Sequence, residues 1–169
     1  MSIRILIADD EPLQRMDLRD MLTEQGYQVI GEVRDGLSAV TRARTERPDV
    51  VIMDIQMPVM DGLSAAEILI REQIAPVVLA TALSDQDSIH RAKLAGVISY
   101  IIKPLRESEI APTIEMALAR YRAYRRIEAE VDALLQELTR PPTPAAHSRV
   151  QGRQTVKAHE IRAHNRSIR

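Results

Sequence analysis

Six polar or turn-forming residues follow short apolar runs, at the points where those runs end. They are Asp9 and Asp10, Asp54, Thr81, and Lys103 with Pro104. In an open α/β sheet, ligand chemistry collects outside the carboxyl ends of the strands. Because four separate runs deliver acids, a hydroxyl group and an ammonium group, we expect these side chains to share one site at one edge of a sheet.

The chemistry that suits such a cluster is phosphoryl transfer at a magnesium ion. Carboxylates held close together repel one another and need a cation among them. Oxygen ligands suit Mg²⁺, which keeps several waters and also binds phosphate oxygens. A metal-bound carboxylate can attack phosphorus and form an aspartyl phosphate. Mg²⁺, the Lys103 ammonium and the Thr81 hydroxyl would supply positive charge and hydrogen-bond donors to the arriving group.

The elements that position these residues are predicted from alternating strand and helix signals over residues 1–107. Predicted strands cover Ile3–Ala8, Tyr27–Val33, Val50–Met53, Val77–Ala80 and Ser99–Ile102. Predicted helices cover Pro12–Gln25, Leu37–Arg47, Leu63–Gln73 and Ser84–Ala95. Successive βα units imply an α/β fold, in which a doubly wound parallel sheet is covered by helices on both faces.

A predicted fifth helix over residues 108–139 is too long to serve only as cover for the sheet. Its apolar residues recur at steps of three and four, the spacing of a heptad seam. At about 1.5 Å per residue it would run over about 45 Å, well beyond a domain of this size. A coiled-coil homodimer is therefore predicted, and a single helix that frays beyond Tyr124 is the alternative. The seam would contain Tyr121, Tyr124, Val131, Leu135 and Leu138.

Composition limits the class of protein and its compartment. The absence of cysteine excludes disulfides and thiolate metal sites. No run reaches the roughly 18 apolar residues of a membrane span, and no secretory signal is visible. A cytoplasmic protein without membrane attachment is therefore expected. Residues 141–169 hold six basic residues, one acidic residue and few large apolar ones, which predicts a disordered basic tail.

Four stretches of the chain carry a resemblance to a known family. They are Ile7–Glu11, the segment from Asp54 through Met57-Pro58 to Asp61-Gly62, Ala80–Ala82, and Tyr100–Pro104. In this order and spacing, the stretches resemble the receiver domain of two-component response regulators, over about residues 1–120. The resemblance implies a flavodoxin-like sheet of five parallel strands in the order 2-1-3-4-5.

The resemblance also implies how a metal ion and a phosphoryl group are held. Asp54 would accept the phosphoryl group from a sensor histidine kinase or a phosphotransfer protein. Asp10 and Asp54 would be direct Mg²⁺ ligands, with Asp9 acting through water. The backbone carbonyl of Gln56 would be a third protein ligand. The chain would then be no enzyme beyond its own phosphoryl transfer and dephosphorylation. An Asp-nucleophile phosphohydrolase would instead need an acid at position 56.

Three residues, Lys103, Thr81 and Tyr100, are expected to respond to the phosphoryl group. The resemblance implies that Lys103 pairs with the phosphate and that its bond to Pro104 is cis. It also implies that Thr81 and Tyr100 form a switch. In this switch the hydroxyl would move to the phosphate, and the ring would turn into the vacated space.

The output of the protein is the part that the residues leave open. Arg15–Leu18, Ile74–Pro76 and Ile110–Pro112 look like ANTAR transcription-antitermination regulators, which bind RNA hairpins through a three-helix module. Only residues 141–169 follow the helix, after a Pro-rich break, so that module is expected to be absent or eroded. The tail would be a truncated or frameshifted remnant or a real basic segment.

Three hypotheses about function follow. The first is a phosphorylation-controlled receiver that dimerises through its long helix and acts on other proteins. The second is an RNA-binding antiterminator that uses its basic tail for electrostatic contacts. The third is a phosphate sink or shuttle with no output of its own.

Overall fold

The structure is a computed structural model of the chain and describes residues 2–82, 90, 96–97 and 99–140. The strands are β1 (Arg4–Ala8), β2 (Gln28–Val33), β3 (Val50–Asp54), β4 (Val77–Thr81) and β5 (Ser99–Ile102). The helices are α1 (Pro12–Glu24), α2 (Gly36–Glu46), α3 (Gly62–Arg71) and α4 (Glu107–Thr139). The helix predicted at residues 84–95, apart from His90, and the tail predicted at 141–169 lie outside the described residues.

The five strands form one parallel sheet in the order β2-β1-β3-β4-β5. This arrangement confirms the predicted flavodoxin-like fold. The central strands are near-continuous runs of Val, Ile and Leu, because a parallel sheet covered by helices is buried on both faces. The carboxyl ends of all five strands therefore meet at one edge of the sheet.

Two apolar cores lie on opposite faces of the sheet. Leu6, Met53 and Leu79 pack in one core with buried residues of α2 and α3. Ile7 and Ile52 pack in the other core with buried residues of α1 and the first turns of α4. Neighbouring residues of one strand enter different cores because successive side chains of a strand point to opposite faces.

Two helices that leave the sheet edge begin with an aspartate cap. The Asp35 carboxylate accepts a hydrogen bond from the backbone N–H of Ser38 at 2.8 Å, at the start of α2. The Asp61 carboxylate accepts one from the backbone N–H of Ser64 at 2.7 Å, at the start of α3. Such caps satisfy N–H groups that the helix itself leaves unpaired.

Helix α4 corresponds to the predicted fifth helix and runs without interruption from Glu107 to Thr139. The chain divides into two compact units, residues 1–126 and 127–169. Four of the five predicted seam side chains are exposed, among them Val131 at 48% and Leu138 at 83%, whereas Tyr121 is half-buried. No helix in the part of the chain that the structure describes has the length and hydropathy needed to span a membrane.

Candidate functional site

Three carboxylates meet at the carboxyl edge of the sheet. Asp9 and Asp10 follow β1, and Asp54 is the last residue of the neighbouring strand β3. Each of the three offers a carboxylate oxygen, and these oxygens lie within 4.8 Å of one another. Three like charges at this distance repel one another, so a cation bound among them would stabilise the cluster.

The Lys103 ammonium supplies one positive charge to this cluster. Its Nζ atom lies 2.8 Å from Oδ2 of Asp9 and 3.3 Å from Oδ2 of Asp54. The side chain is 13% exposed. Its backbone N–H donates to the carbonyl oxygen of Thr81 at 2.8 Å, and the Lys103–Pro104 bond is cis. The geometry therefore brings the predicted lysine to two of the predicted acids.

The two aspartates that follow β1 have different surroundings. Asp9 is buried, and its Oδ1 accepts a hydrogen bond from the backbone N–H of Glu11 at 2.9 Å while its Oδ2 accepts one from Lys103. Asp10 is exposed. Both carboxylate oxygens of Asp9 are thus engaged by protein, whereas the Asp10 carboxylate faces solvent and is the more accessible of the two to a metal ion.

The Asp54 carboxyl has a perturbed acidity. Burial raises its pKa above the ordinary value, and the negative charge of Asp9 raises it further. The Lys103 ammonium and a 2.8 Å hydrogen bond from the backbone N–H of Ile55 oppose that rise. A carboxyl held in this balance gains from a divalent cation, which favours its ionised form. Three carboxylates around one open edge are oxygen donors of the kind that Mg²⁺ prefers.

The loop after β3 is held close to Asp54 by Gly62. A Cβ atom at position 62 would overlap the carbonyl oxygen of Asp54, so no larger residue fits there without a shift of the backbone. The backbone N–H of Gly62 also donates to the carbonyl oxygen of Ile55 at 2.9 Å. Gln56, whose backbone carbonyl is a predicted ligand, is exposed in this loop.

The predicted switch residues lie on the two neighbouring strands β4 and β5. Thr81 is half-buried at the end of β4. Tyr100, which pairs in register with Leu79 of β4, is 51% exposed. The ring of Tyr100 is thus turned substantially toward solvent in this structure.

The sequence interpretation missed a role for Arg15 at this edge. Its guanidinium donates a hydrogen bond to the backbone oxygen of Asp9 and lies 3.9 Å from the carboxylate of Glu32 on β2. It therefore ties the turn after β1 to the neighbouring strand. The only signal in the sequence is a basic residue at the fourth position of the helix that follows the acidic pair.

Comparisons with known proteins agree with this geometry. Residues 5–115 match the family described as "Response regulator receiver domain". The chain is 46% identical over 135 residues to the transcriptional regulatory protein PdtaR of Mycobacterium tuberculosis, an alignment that covers 80% of this chain. The matched region spans 66% of the mycobacterial protein, just under two thirds of its length.

Solved structures that contain receiver domains are also similar to this chain. The receiver domain of a modulated diguanylate cyclase from Desulfovibrio desulfuricans G20 is 30% identical, with a TM-score of 0.69 over 73% of this chain and 99% of that one. A CheX–CheY complex with BeF₃ and Mg²⁺ from Borrelia burgdorferi contains a chain that is 27% identical, with a TM-score of 0.62 over 66% of this chain and 86% of that one. Together with the matched residues and the strand order, these similarities show that the chain belongs to the response regulator receiver family of two-component signalling.

Proposed function

We propose that this chain is a phosphorylation-activated response regulator whose Asp54 accepts a phosphoryl group from a histidine kinase or a phosphotransfer protein. The observation that carries the proposal is the position of the Lys103 ammonium, 2.8 Å from Asp9 and 3.3 Å from Asp54. An acceptor carboxylate, a neighbouring acidic pair and a cation therefore lie together at one open edge of the sheet. A purely structural ion pair would not need the third, exposed carboxylate of Asp10.

The residues present fit a magnesium ion. Asp10, Asp54 and the backbone carbonyl of Gln56 would be the direct ligands, and Asp9, whose oxygens are engaged by protein, would act through water. The similar Borrelia burgdorferi complex contains Mg²⁺ together with BeF₃. When bound, the ion would neutralise charge on the carboxylates and on the phosphoryl oxygens.

The phosphoryl group would move in one displacement. A carboxylate oxygen of Asp54 forms a bond to phosphorus as the bond between phosphorus and the donor nitrogen breaks, and the electron pair of that bond stays on the donor imidazole. The Lys103 ammonium and the Thr81 hydroxyl would contact the oxygens of the transferred group. Lys103 can reach it because its Nζ already lies 3.3 Å from Oδ2 of Asp54.

Phosphorylation of Asp54 would change the surface of the domain through Thr81 and Tyr100. When the Thr81 hydroxyl moves to the phosphoryl group, it leaves space at the end of β4. The ring of Tyr100, which is now 51% exposed, would turn inward to fill that space. The exposed side of β5 would change shape as a result.

Output would involve a second copy of the chain. The seam of α4 presents Tyr124, Val131, Leu135 and Leu138 with exposures of 54%, 48%, 54% and 83%. Burial of these side chains against a partner helix would stabilise a dimer.

The similarity to a protein named a transcriptional regulatory protein favours an output in gene expression. RNA binding through the basic tail and a sink or shuttle role stay as alternatives.

The proposal is tested with a small-molecule phosphodonor. Incubation with acetyl phosphate and Mg²⁺ is expected to add one phosphoryl group to the wild type and none to Asp54→Asn, as measured by intact-protein mass spectrometry. Asp49→Asn is the matched control, because Asp49 immediately precedes the opposite end of the same strand. Labelling of Asp54→Asn at the wild-type level would show that the acceptor is another residue.

Dimerisation needs a separate test. Leu135→Asp with Leu138→Asp is expected to shift the mass measured by light scattering toward the monomer. Ala133→Asp with Gln136→Asp adds the same charge outside the seam and is expected to leave the mass unchanged. Equal masses for the two double variants would contradict the proposed seam.

A further inference from the structure

The charged residues of α4 are segregated by sign over residues 120–139. Residues 120–126 contain four arginines and no acidic residue, whereas residues 127–139 contain four acidic residues and no basic residue. The two sets are Arg120, Arg122, Arg125 and Arg126, and Glu128, Glu130, Asp132 and Glu137. A second copy that runs in the opposite direction would place the basic segment of each helix against the acidic segment of the other.

We propose that two copies of the chain pair through α4 in antiparallel orientation, with the centre of the pair between Ala129 and Glu130. This inference rests on the proposed dimer and adds its orientation. Charged residues that flank a coiled-coil seam commonly decide which orientation forms. The occupant of the exposed face of α4 is therefore a second copy of the same helix, turned end for end.

The seam itself favours this orientation. Its heptad spacing places Glu128 between Tyr124 and Val131, as the one acidic residue among apolar seam positions. In a parallel pair in register, each seam residue faces its own copy, so two Glu128 carboxylates would meet inside the interface. In the antiparallel pair, Glu128 instead faces Val131 of the second copy, and the two carboxylates are separated.

The positions beside the seam favour it as well. A parallel pair would bring Arg120 of one copy against Arg125 of the other, twice by symmetry, with repulsion at both places. The antiparallel pair brings Arg125 against Asp132 of the second copy, also twice, with attraction at both. The charges around Arg125 therefore oppose the parallel orientation and support the antiparallel one.

Two further apolar residues are accounted for by the antiparallel pair. Ile127 and Leu134 lie next to the seam, and each is 60% exposed. In the antiparallel register, Ile127 of one copy lies beside Leu134 of the other, twice by symmetry, which widens the buried strip. In the parallel register, Ile127 would instead lie beside the carboxylate of Asp132.

The chain contains no cysteine, so introduced cysteines report the orientation directly. In the antiparallel pair, position 135 faces position 124 of the second copy. We expect neither Leu135→Cys alone nor Tyr124→Cys alone to form a disulfide-linked dimer on mild oxidation. A mixture of the two full-length variants is expected to form the mixed disulfide, which mass spectrometry identifies. Efficient self-linking of Leu135→Cys would overturn the antiparallel orientation.

A charge change provides an independent test with opposite signs for the two orientations. Arg125→Glu places a carboxylate opposite Asp132 of the second copy, so the antiparallel pair is expected to weaken by about tenfold in dissociation constant, measured by sedimentation. Arg125→Asp combined with Asp132→Arg is expected to restore the wild-type value. The matched control Arg126→Glu, on the face away from the seam, is expected to change the constant little. Tighter pairing of Arg125→Glu would show a parallel pair, in which the introduced carboxylate faces Arg120 of the second copy.

These outcomes separate this inference from the proposed dimer. The measurements are made on the full chain with acetyl phosphate and Mg²⁺, so that the phosphorylated form is included. A wild type that remains monomeric at every concentration contradicts the proposed dimer and the antiparallel pair together. A dimeric wild type with self-linking Leu135→Cys keeps the dimer and contradicts only its orientation.

Discussion

The Nζ atom of Lys103 lies 3.3 Å from Oδ2 of Asp54, and both side chains are largely buried at the carboxyl edge of the sheet. The same ammonium is 2.8 Å from Oδ2 of Asp9. One cation thus balances two carboxylates, and the charge on Asp54 depends on both neighbours. A measurement of the pKa of Asp54 therefore tests this arrangement directly.

Opposite changes in the pKa of Asp54 are expected when its two charged neighbours are removed. Lys103→Met removes a nearby positive charge and should raise that pKa, because the ionised carboxylate loses its partner. Asp9→Asn removes a nearby negative charge and should lower it. Carboxyl carbon NMR titration in Mg²⁺-free buffer measures both. Shifts of the same sign in the two variants would contradict the arrangement.

Replacement of Gly62 by alanine is expected to destabilise the fold and to displace the acceptor. The added Cβ would overlap the carbonyl oxygen of Asp54, so the backbone at the site must move, at a cost of about 1–3 kcal/mol. Gly26→Ala is the matched control. Gly26 has a φ of +84°, and apart from its chain neighbours no atom lies within 4 Å of the added Cβ, so only the cost of the left-handed backbone, about 1–2 kcal/mol, applies. Urea unfolding gives the stabilities, and acetyl phosphate labelling should fall for Gly62→Ala alone.

The cap of α2 should make stability depend on pH in a known direction. Hydrogen bonds from the backbone N–H and the hydroxyl of Ser38 hold the pKa of Asp35 below its usual range. A lowered pKa in the folded state contributes stability above the unfolded value of about 3.9, and this stability is lost as the pH falls through the folded value. Asp35→Ala should therefore cost about 1 kcal/mol at neutral pH and less in acid. A cost that is independent of pH in urea titrations would contradict this account.

Tyr100 is expected to lose solvent exposure when the acceptor is occupied. Beryllium fluoride, which imitates the phosphoryl group, is added together with Mg²⁺. It should shift the fluorine resonance of Tyr100 in fluorotyrosine-labelled protein and reduce the accessibility of that ring to a soluble quencher. Thr81→Val lacks the hydroxyl and should abolish that response, whereas Thr41→Val on α2 should not. An unchanged Tyr100 resonance in the wild type at saturating beryllium fluoride would contradict the switch.

The fold and the convergence of the candidate site residues could be predicted because both depend on local patterns. Each strand that leads into the acidic cluster is an apolar run that stops at a polar residue, and parallel strands place those stops at one edge. The convergence of Asp9, Asp54 and Lys103 follows from that topology alone. The spacing of apolar residues also picked out side chains of α4 that are exposed in the structure, such as Leu135 and Leu138.

The contacts that depend on exact packing could not be predicted. The hydrogen bond from Arg15 to the backbone of Asp9 requires the precise turn between β1 and α1. The Arg42 guanidinium reaches the carbonyl oxygen of Ile30 at 3.2 Å, across the space that a side chain at Gly31 would occupy. A register shift between β1 and β2 lies at this point, and such irregularities leave no periodic signal.

The identity of the phosphorylated residue is the central claim, and peptide mapping of the acetyl phosphate-treated wild type tests it most directly. Borohydride reduction converts an aspartyl phosphate to homoserine, which marks the acceptor permanently. The account predicts homoserine at position 54 when Mg²⁺ is present and none when the ion is chelated. Homoserine at position 9 or 10, or at another acid, would contradict it.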